Sequence, residues 1–274
     1  MLSAASCVLM LRWWFLLGWL VPRPPWRQAF LIYVQGWALL FTPARSGEAL
    51  RAVWLQQRCD VPLAVGLAVL LAERITGLAA ALLLLALGFS GRTPLGLTAV
   101  VVAVAAMLAL CTHRGSLSAL VHRLPAAIEN GGWRNLPQRL MRQSLLALLH
   151  LGPLLRPWPM ALGLGLALVS WLLESALLYG IWQVISDQPP APMAAVLVRV
   201  VMGLSGFVSL LPAGLGVTDG TGVGLLLLYG LSTRQALVAT ALLRLLLIGF
   251  PLVLGWLAYV SAPPHRYARR SMRG

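Results

Sequence analysis

Leu211-Pro212-Ala213-Gly214-Leu215-Gly216-Val217 and Thr42-Pro43-Ala44-Arg45-Ser46-Gly47-Glu48 carry the same Pro-Ala-x-x-Gly interruption, each at the end of an apolar run. Arg74 follows Pro43 by 31 residues and Arg244 follows Pro212 by 32, each inside a long apolar segment. Proline removes a helical N–H and glycine accepts left-handed backbone, so each stretch breaks a helix. Broken helices at matching positions in two halves of a membrane protein are the trace of a transport fold built from repeats.

Composition sets the frame. The chain has 274 residues, 59% of them hydrophobic, with a mean hydropathy of +0.84. Charged residues make up 10%, against about 25% in soluble domains. Several apolar stretches exceed the length needed to span a bilayer, and period-2 alternation is scarce, so the class is all-α and polytopic, neither a soluble enzyme nor a β-barrel. The net charge is +14 and every basic side chain is arginine. These arginines fall between apolar runs and in the tail, not on one soluble basic domain. They therefore read as positive-inside residues facing anionic lipid headgroups, and no nucleic acid is expected as a partner. Cys7, Cys59 and Cys111 are far apart and read as apolar filler. His113, His122 and His150 lie in or beside one polar loop and His265 lies in the tail. No metal site and no cofactor are expected.

Working outward from the breaks, Leu2 to Met10 is apolar and Arg12 interrupts before Trp13-Trp14, which reads as a membrane–water boundary. Ala29 to Phe41 is too short to cross alone; it ends at Pro43 and Gly47, and a short helix over Glu48 to Gln57 returns. This describes a re-entrant hairpin, which lipid tolerates only where protein or a wet cavity covers the unwound backbone. Val61 to Phe89, Pro94 to Cys111, Pro159 to Ile185 and Gln235 to Val260 read as spans. Residues 112–158 form a cytoplasmic loop containing an amphipathic helix over Leu136 to Leu151, expected to lie on the anionic membrane face. Its apolar face would hold Leu140, Met141, Leu145, Leu148 and Leu149. Met193 to Tyr229 enters the second break and leads back. The single transmembrane domain thus covers residues 1–262, followed by a basic cytoplasmic tail over 263–274.

Arginine counts fix the expected orientation. The loop at 112–158 and the tail are both arginine-rich and belong inside. One outward span and one inward span join them, so parity requires Met193 to Tyr229 to enter and leave on the outside. Arg23, Arg27 and Arg58 place the mouth of the first hairpin inside. The two hairpins then enter from opposite faces as an inverted-topology repeat.

Ionised side chains in hydrocarbon cost about 2.5–3.5 kcal/mol each on insertion scales. Glu48, Glu73, Arg74, Glu174, Asp219 and Arg244 occupy or adjoin such positions, and Arg45, inside the first break, and Arg51, near it, suit phosphate. One reading is a polar midplane cavity, with arginines on an anionic group and acids on a cationic group or on protons. The other is internal ion pairing, for instance Glu73 with Arg244, that only fixes helix packing; Arg51 reads equally well as a headgroup contact. The breaks themselves are expected to be built by Pro43, Gly47, Pro212, Gly214, Gly216 and Gly220, the later glycines allowing close backbone approach. No strand precedes these glycines and no Lys-Ser/Thr follows, so they are not a nucleotide loop. Neither H-E-x-x-H nor G-x-S-x-G occurs, and no catalytic residue is assigned.

PARSGEALRA, AERITGL, the intramembrane Glu174, SLLPAGLGVTDG and LLRLLLIG together resemble the flippase-like transmembrane region of the lysylphosphatidylglycerol synthase family, over roughly Arg12 to Tyr259. The resemblance rests on Pro43, Arg45, Gly47 and Glu48; on Glu73 and Arg74; on Pro212, Gly214, Gly216, Asp219 and Gly220; and on Arg244. It implies a lipid translocase in the bacterial inner membrane, with a membrane phospholipid as substrate and a second copy or a separate synthase as partner. It also implies spans upstream of the position matching Arg12. No soluble synthase domain follows Val260, so aminoacyl transfer from tRNA is not expected. Two other functions fit the sequence: a membrane enzyme or accessory factor of lipid-linked sugar or polyprenyl-phosphate metabolism, and a non-transporting scaffold for a synthase.

Overall fold

The computed structural model describes residues 2–42, 47–89, 98, 136–186, 190–209 and 211–262. Among these residues there is no strand; the chain is all-helical. In chain order the helices are α1 (Leu2–Leu17), α2 (Trp26–Gly36), α3 (Leu50–Cys59), α4 (Leu63–Phe89), α5 (Leu136–Leu154) and α6 (Pro157–Ile185). They continue with α7 (Pro192–Val208), α8 (Val217–Leu228), α9 (Thr233–Arg244) and α10 (Phe250–Ser261). A π-helical turn, Leu245–Gly249, fuses α9 and α10 into one rod. It lies directly before Pro251, whose missing N–H would otherwise leave a gap in the ladder.

Among the described residues, three helices are long and apolar enough to cross a membrane: Leu63–Phe89, Pro157–Ile185 and Thr233–Ser261. At 1.5 Å per residue each is longer than a ~30 Å hydrocarbon core, which requires tilt or bending. These correspond to three of the four expected spans; the fourth, Pro94 to Cys111, lies outside the described residues apart from position 98. The segments around the breaks are short, as expected. α2 has 11 residues and α3 has 10, and they pack on each other. α7 has 17 and α8 has 12, and they pack likewise.

Two apolar cores organise the molecule. In the first, Met10, Trp13, Leu16 and Leu17 of α1 meet Ile32 and Tyr33 of α2, Trp54 and Leu55 of α3, Val65 and Val69 of α4, and Leu151 and Leu154 of α5. In the second, Leu178 and Trp182 of α6 meet Val198 and Met202 of α7, Leu226 of α8 and Leu243 of α9. Ala81 and Leu84 of α4 against Val200 of α7 join the two.

Two expectations change. Arg12, read as a boundary residue from its own segment, is packed inside the protein: it is 7% exposed and faces Glu73 of α4. Ten apolar residues before an arginine look like the end of a span, but tertiary packing encloses this one between α1 and α4. The amphipathic helix is present, yet its buried stripe is Ala147, Leu151 and Leu154 against α4, while Leu145 and Leu149 are half-buried.

The last helix does not stay with its own half. α10 packs on α2 and on the 3-10 turn Trp37–Leu39 that extends it. The fully buried Gln35 donates from Nε2 to the carbonyls of Ala258 (2.9 Å) and Ala262 (2.7 Å), satisfying groups that a helix C-terminus leaves open. Gly255 makes the approach possible. A Cβ there would stand 2.3 Å from the Ala38 backbone nitrogen and 2.7 Å from the Trp37 carbonyl carbon. Small residues take this role in lipid, where close packing and not water exclusion holds helices together. Gly255→Leu is therefore expected to undock α10. Thermal unfolding of the detergent-purified protein should show a large drop in midpoint, whereas Gly165→Ala, which meets nothing within 4 Å, should leave it unchanged.

Candidate functional site

The first break delivers its acid to α4. Pro43 and Arg45 lie outside the described residues. Gly47 opens a 3-10 turn over 47–49; its N–H donates to Thr42 Oγ1 at 2.7 Å, and a Cβ there would collide with Leu39 and Thr42. Glu48 follows in that turn. Its Oε2 receives Arg51 Nη2 at 3.0 Å, a neighbour on the same helical face, and Arg74 Nη2 at 2.5 Å from α4. Glu73, 6% exposed near the middle of α4, takes Arg51 Nη2 at 3.4 Å on one oxygen and faces Arg12 Nη2 at 3.7 Å with the other. The Arg51 guanidinium also lies 4.8 Å from the centre of the Tyr33 ring, and its stem fills the space that Gly36 leaves bare. Arg51 is therefore a buried tie between two acids, not a side chain reaching to headgroups.

The second break repeats the device. Pro212–Gly214 makes a 3-10 turn, and left-handed backbone follows at Ala213 (φ 52), Gly214 (φ 66) and Gly216 (φ 80). Asp219 Oδ2 accepts the Gly216 N–H at 2.9 Å and so caps α8, where a carboxylate also suits the helix dipole. Arg244, at the end of α9, closes the arrangement. Its Nε meets Asp219 Oδ1 at 2.7 Å, its Nη2 meets Oδ2 at 3.3 Å, and its Nη1 donates to the Ala213 carbonyl at 2.9 Å. This two-pronged geometry is what a planar guanidinium supplies and an ammonium does not. Gly214 allows the break to lie against Gly206 of α7, with the Thr218 hydroxyl wedged between. Gly220 lies inside α8, one turn past the break, with open space beside it.

Glu174 of α6 forms a third group with Arg199 of α7. Arg199 stacks 4.9 Å from the centre of the Trp171 ring, and the Trp171 indole N–H donates to the Gly77 carbonyl of α4 at 3.1 Å. Arg199 escaped the sequence reading. Its signal was there: it is a lone arginine in an apolar helix, 25 residues after Glu174. Asp219 and Arg244 are also 25 apart, and Glu48 and Arg74 are 26 apart.

The expected site residues thus fall into three ion-paired groups: Glu48, Arg51, Glu73 and Arg74; Glu174; and Asp219 with Arg244. Pairing is real, but Glu73 pairs with Arg51 and Arg12 and not with Arg244. Residues 1–255 match the family model described as the lysylphosphatidylglycerol synthase TM region. The chain belongs to this family. No curated protein and no solved structure matches it. Within this member of the lysylphosphatidylglycerol synthase TM family, Arg244 locks the second break, and Arg74 holds Glu48, which follows the first. Among the described residues, no three His, Cys, Asp or Glu side chains come together as a metal site would require.

Proposed function

We propose that this chain is a lipid translocase, moving an anionic or zwitterionic lipid headgroup between leaflets while the acyl chains stay in the bilayer. The observation that supports it most is the paired-charge lock at each break: Glu48 with Arg74, and Asp219 with Arg244. Charges this costly to bury are kept where something polar must pass. In this reading α2–α3 and α7–α8 are re-entrant hairpins inserted from opposite faces of the bacterial inner membrane. The arginine-rich loop and tail are cytoplasmic, and the two halves form an inverted repeat.

A headgroup would cross by exchanging partners. Its phosphate takes the Arg74 guanidinium, 30% exposed, from Glu48, and later takes Arg244 from Asp219. Arg45 would add a further fork beside the first break. A cationic headgroup, or a proton, then neutralises the carboxylate left behind: Glu48, Glu73, Glu174 or Asp219. Each exchange conserves charge in the chamber, which lowers the barrier for a zwitterion relative to a bare ion. With no substrate the locks close on themselves.

Purified protein reconstituted into vesicles with a fluorescent short-chain phospholipid tests this. Dithionite added outside bleaches only the outer leaflet, so transfer makes the protected inner pool bleachable. Active protein should abolish the protected plateau; a plateau equal to that of protein-free vesicles, across anionic and zwitterionic probes, would refute translocation.

A further inference from the structure

We propose that Arg12 is an anion-binding residue, holding a phosphate-type oxyanion in a notch at Gly77; this rests on the translocation reading and names part of its substrate site. The first group contains three guanidinium ions, Arg12, Arg51 and Arg74, and two carboxylates, Glu48 and Glu73, among the described residues. The other two groups balance one to one. Arg51 is fully engaged by both acids and Tyr33, and Arg74 is held at 2.5 Å. Arg12 is the loosely held member. It is 7% exposed, and among the described residues its one carboxylate contact is 3.7 Å long and its buried Nε has no hydrogen-bond partner. Arg199 also keeps a buried Nε without a hydrogen bond, but its carboxylate contact is close, whereas that of Arg12 is long; desolvating a guanidinium without a close partner is expensive.

The space beside Arg12 fits the same conclusion. A Cβ built on Gly77 would have one neighbour within 4 Å, Arg12 Nη1 at 3.8 Å. The glycine therefore keeps a gap open in front of the guanidinium. Trp171 borders this place through its bond to the Gly77 carbonyl, and Glu73 lies one turn away on the same helix. A guanidinium with an unpartnered Nε, whose Nη1 lies beside a bare helix surface inside a cluster of excess positive charge, suits oxygens of a phosphate. The ligand supplies the negative charge that the two glutamates do not.

Binding in detergent separates this from transport. The probes are dihexanoylphosphatidylglycerol, its acyl-free headgroup glycerophosphoglycerol, and inorganic phosphate, each titrated by thermal shift and calorimetry. At least one should bind the wild-type protein. Arg12→Gln should weaken that binding about tenfold or more, since a charge-assisted hydrogen bond is lost. Arg12→Lys should recover most of it, and Gly77→Val, which keeps every charge, should weaken it comparably by filling the notch. Preference for the lipid over the other two probes assigns the oxyanion to a lipid; equal Arg12-dependent binding of free phosphate keeps the site and assigns it to a soluble anion. Unchanged affinity in Arg12→Gln eluting as a single species overturns the proposal, as does unchanged affinity in Gly77→Val should Arg12→Gln aggregate. Absence of binding by all three probes overturns it as well. Arg12-dependent binding without leaflet transfer would instead refute translocation alone.

Discussion

Arg244→Ala abolishes leaflet transfer and loosens the second break: that is the largest functional effect expected. The side chain makes three contacts at once, two to Asp219 and one to the Ala213 carbonyl. Removing it strands a carboxylate and frees a carbonyl at a left-handed residue. Truncating one member of a hydrogen-bonded charge pair costs roughly 2–5 kcal/mol when the pair is buried. Asp219 is 35% exposed, which puts the expected stability loss near the lower end. Arg244→Lys keeps the charge but loses the fork, so it should retain folding and lose at least tenfold in transfer rate. Asp219→Asn separates the roles further, since an amide still accepts the Gly216 N–H but offers no charge to Arg244. Full dithionite-accessible transfer by Arg244→Ala would remove the second break from the pathway.

Glu73→Gln should have the largest effect on stability. Glu73 is 6% exposed and faces both Arg51 and Arg12. Its neutralisation leaves the buried guanidinium ions of Arg12 and Arg51, and the partly exposed one of Arg74, with Glu48 as their carboxylate among the described residues. Breaking a buried ion pair from one side costs about 3–5 kcal/mol, a large part of the stability of an ordinary domain. Folded yield after gel filtration should collapse. The double variant Glu73→Gln with Arg12→Gln should recover much of it, because it removes one positive charge together with the negative one. Equal losses in the single and double variants would show that charge balance is not what Glu73 provides.

These two residues also mark what could be read in advance. The second break was legible because proline and glycine act locally: Pro212, Gly214 and Gly216 make it whatever surrounds them. The three long helices were legible because hydropathy over 27 to 29 residues outweighs one or two charges within each. Pairing was not legible, since it depends on which helices become neighbours. Arg12 looked like the edge of a membrane because only its own segment was visible; α4 brings Glu73 to it. Arg199 was overlooked for the converse reason: an arginine in a short apolar helix has no meaning until Glu174 lies beside it. The recurring separation of 25 or 26 residues between acid and arginine was the one clue, and it becomes a rule only after three instances are seen together.

The docking of the final helix onto the first hairpin dictates an order of biogenesis. Gln35 reaches its acceptor Ala258 across 223 residues of chain. At roughly 5–20 residues per second of synthesis, the ribosome takes on the order of ten to forty seconds to deliver that partner. During this interval Gln35 and the bare edge at Trp37 and Ala38 lack the surface that covers them. A nascent chain of this kind has to be sheltered by insertion machinery or by transient neighbours until its last segment arrives. Ribosomal stalling shortly before residue 250 should leave a product that is fully inserted yet open to proteases and crosslinkers at its amino-terminal hairpin.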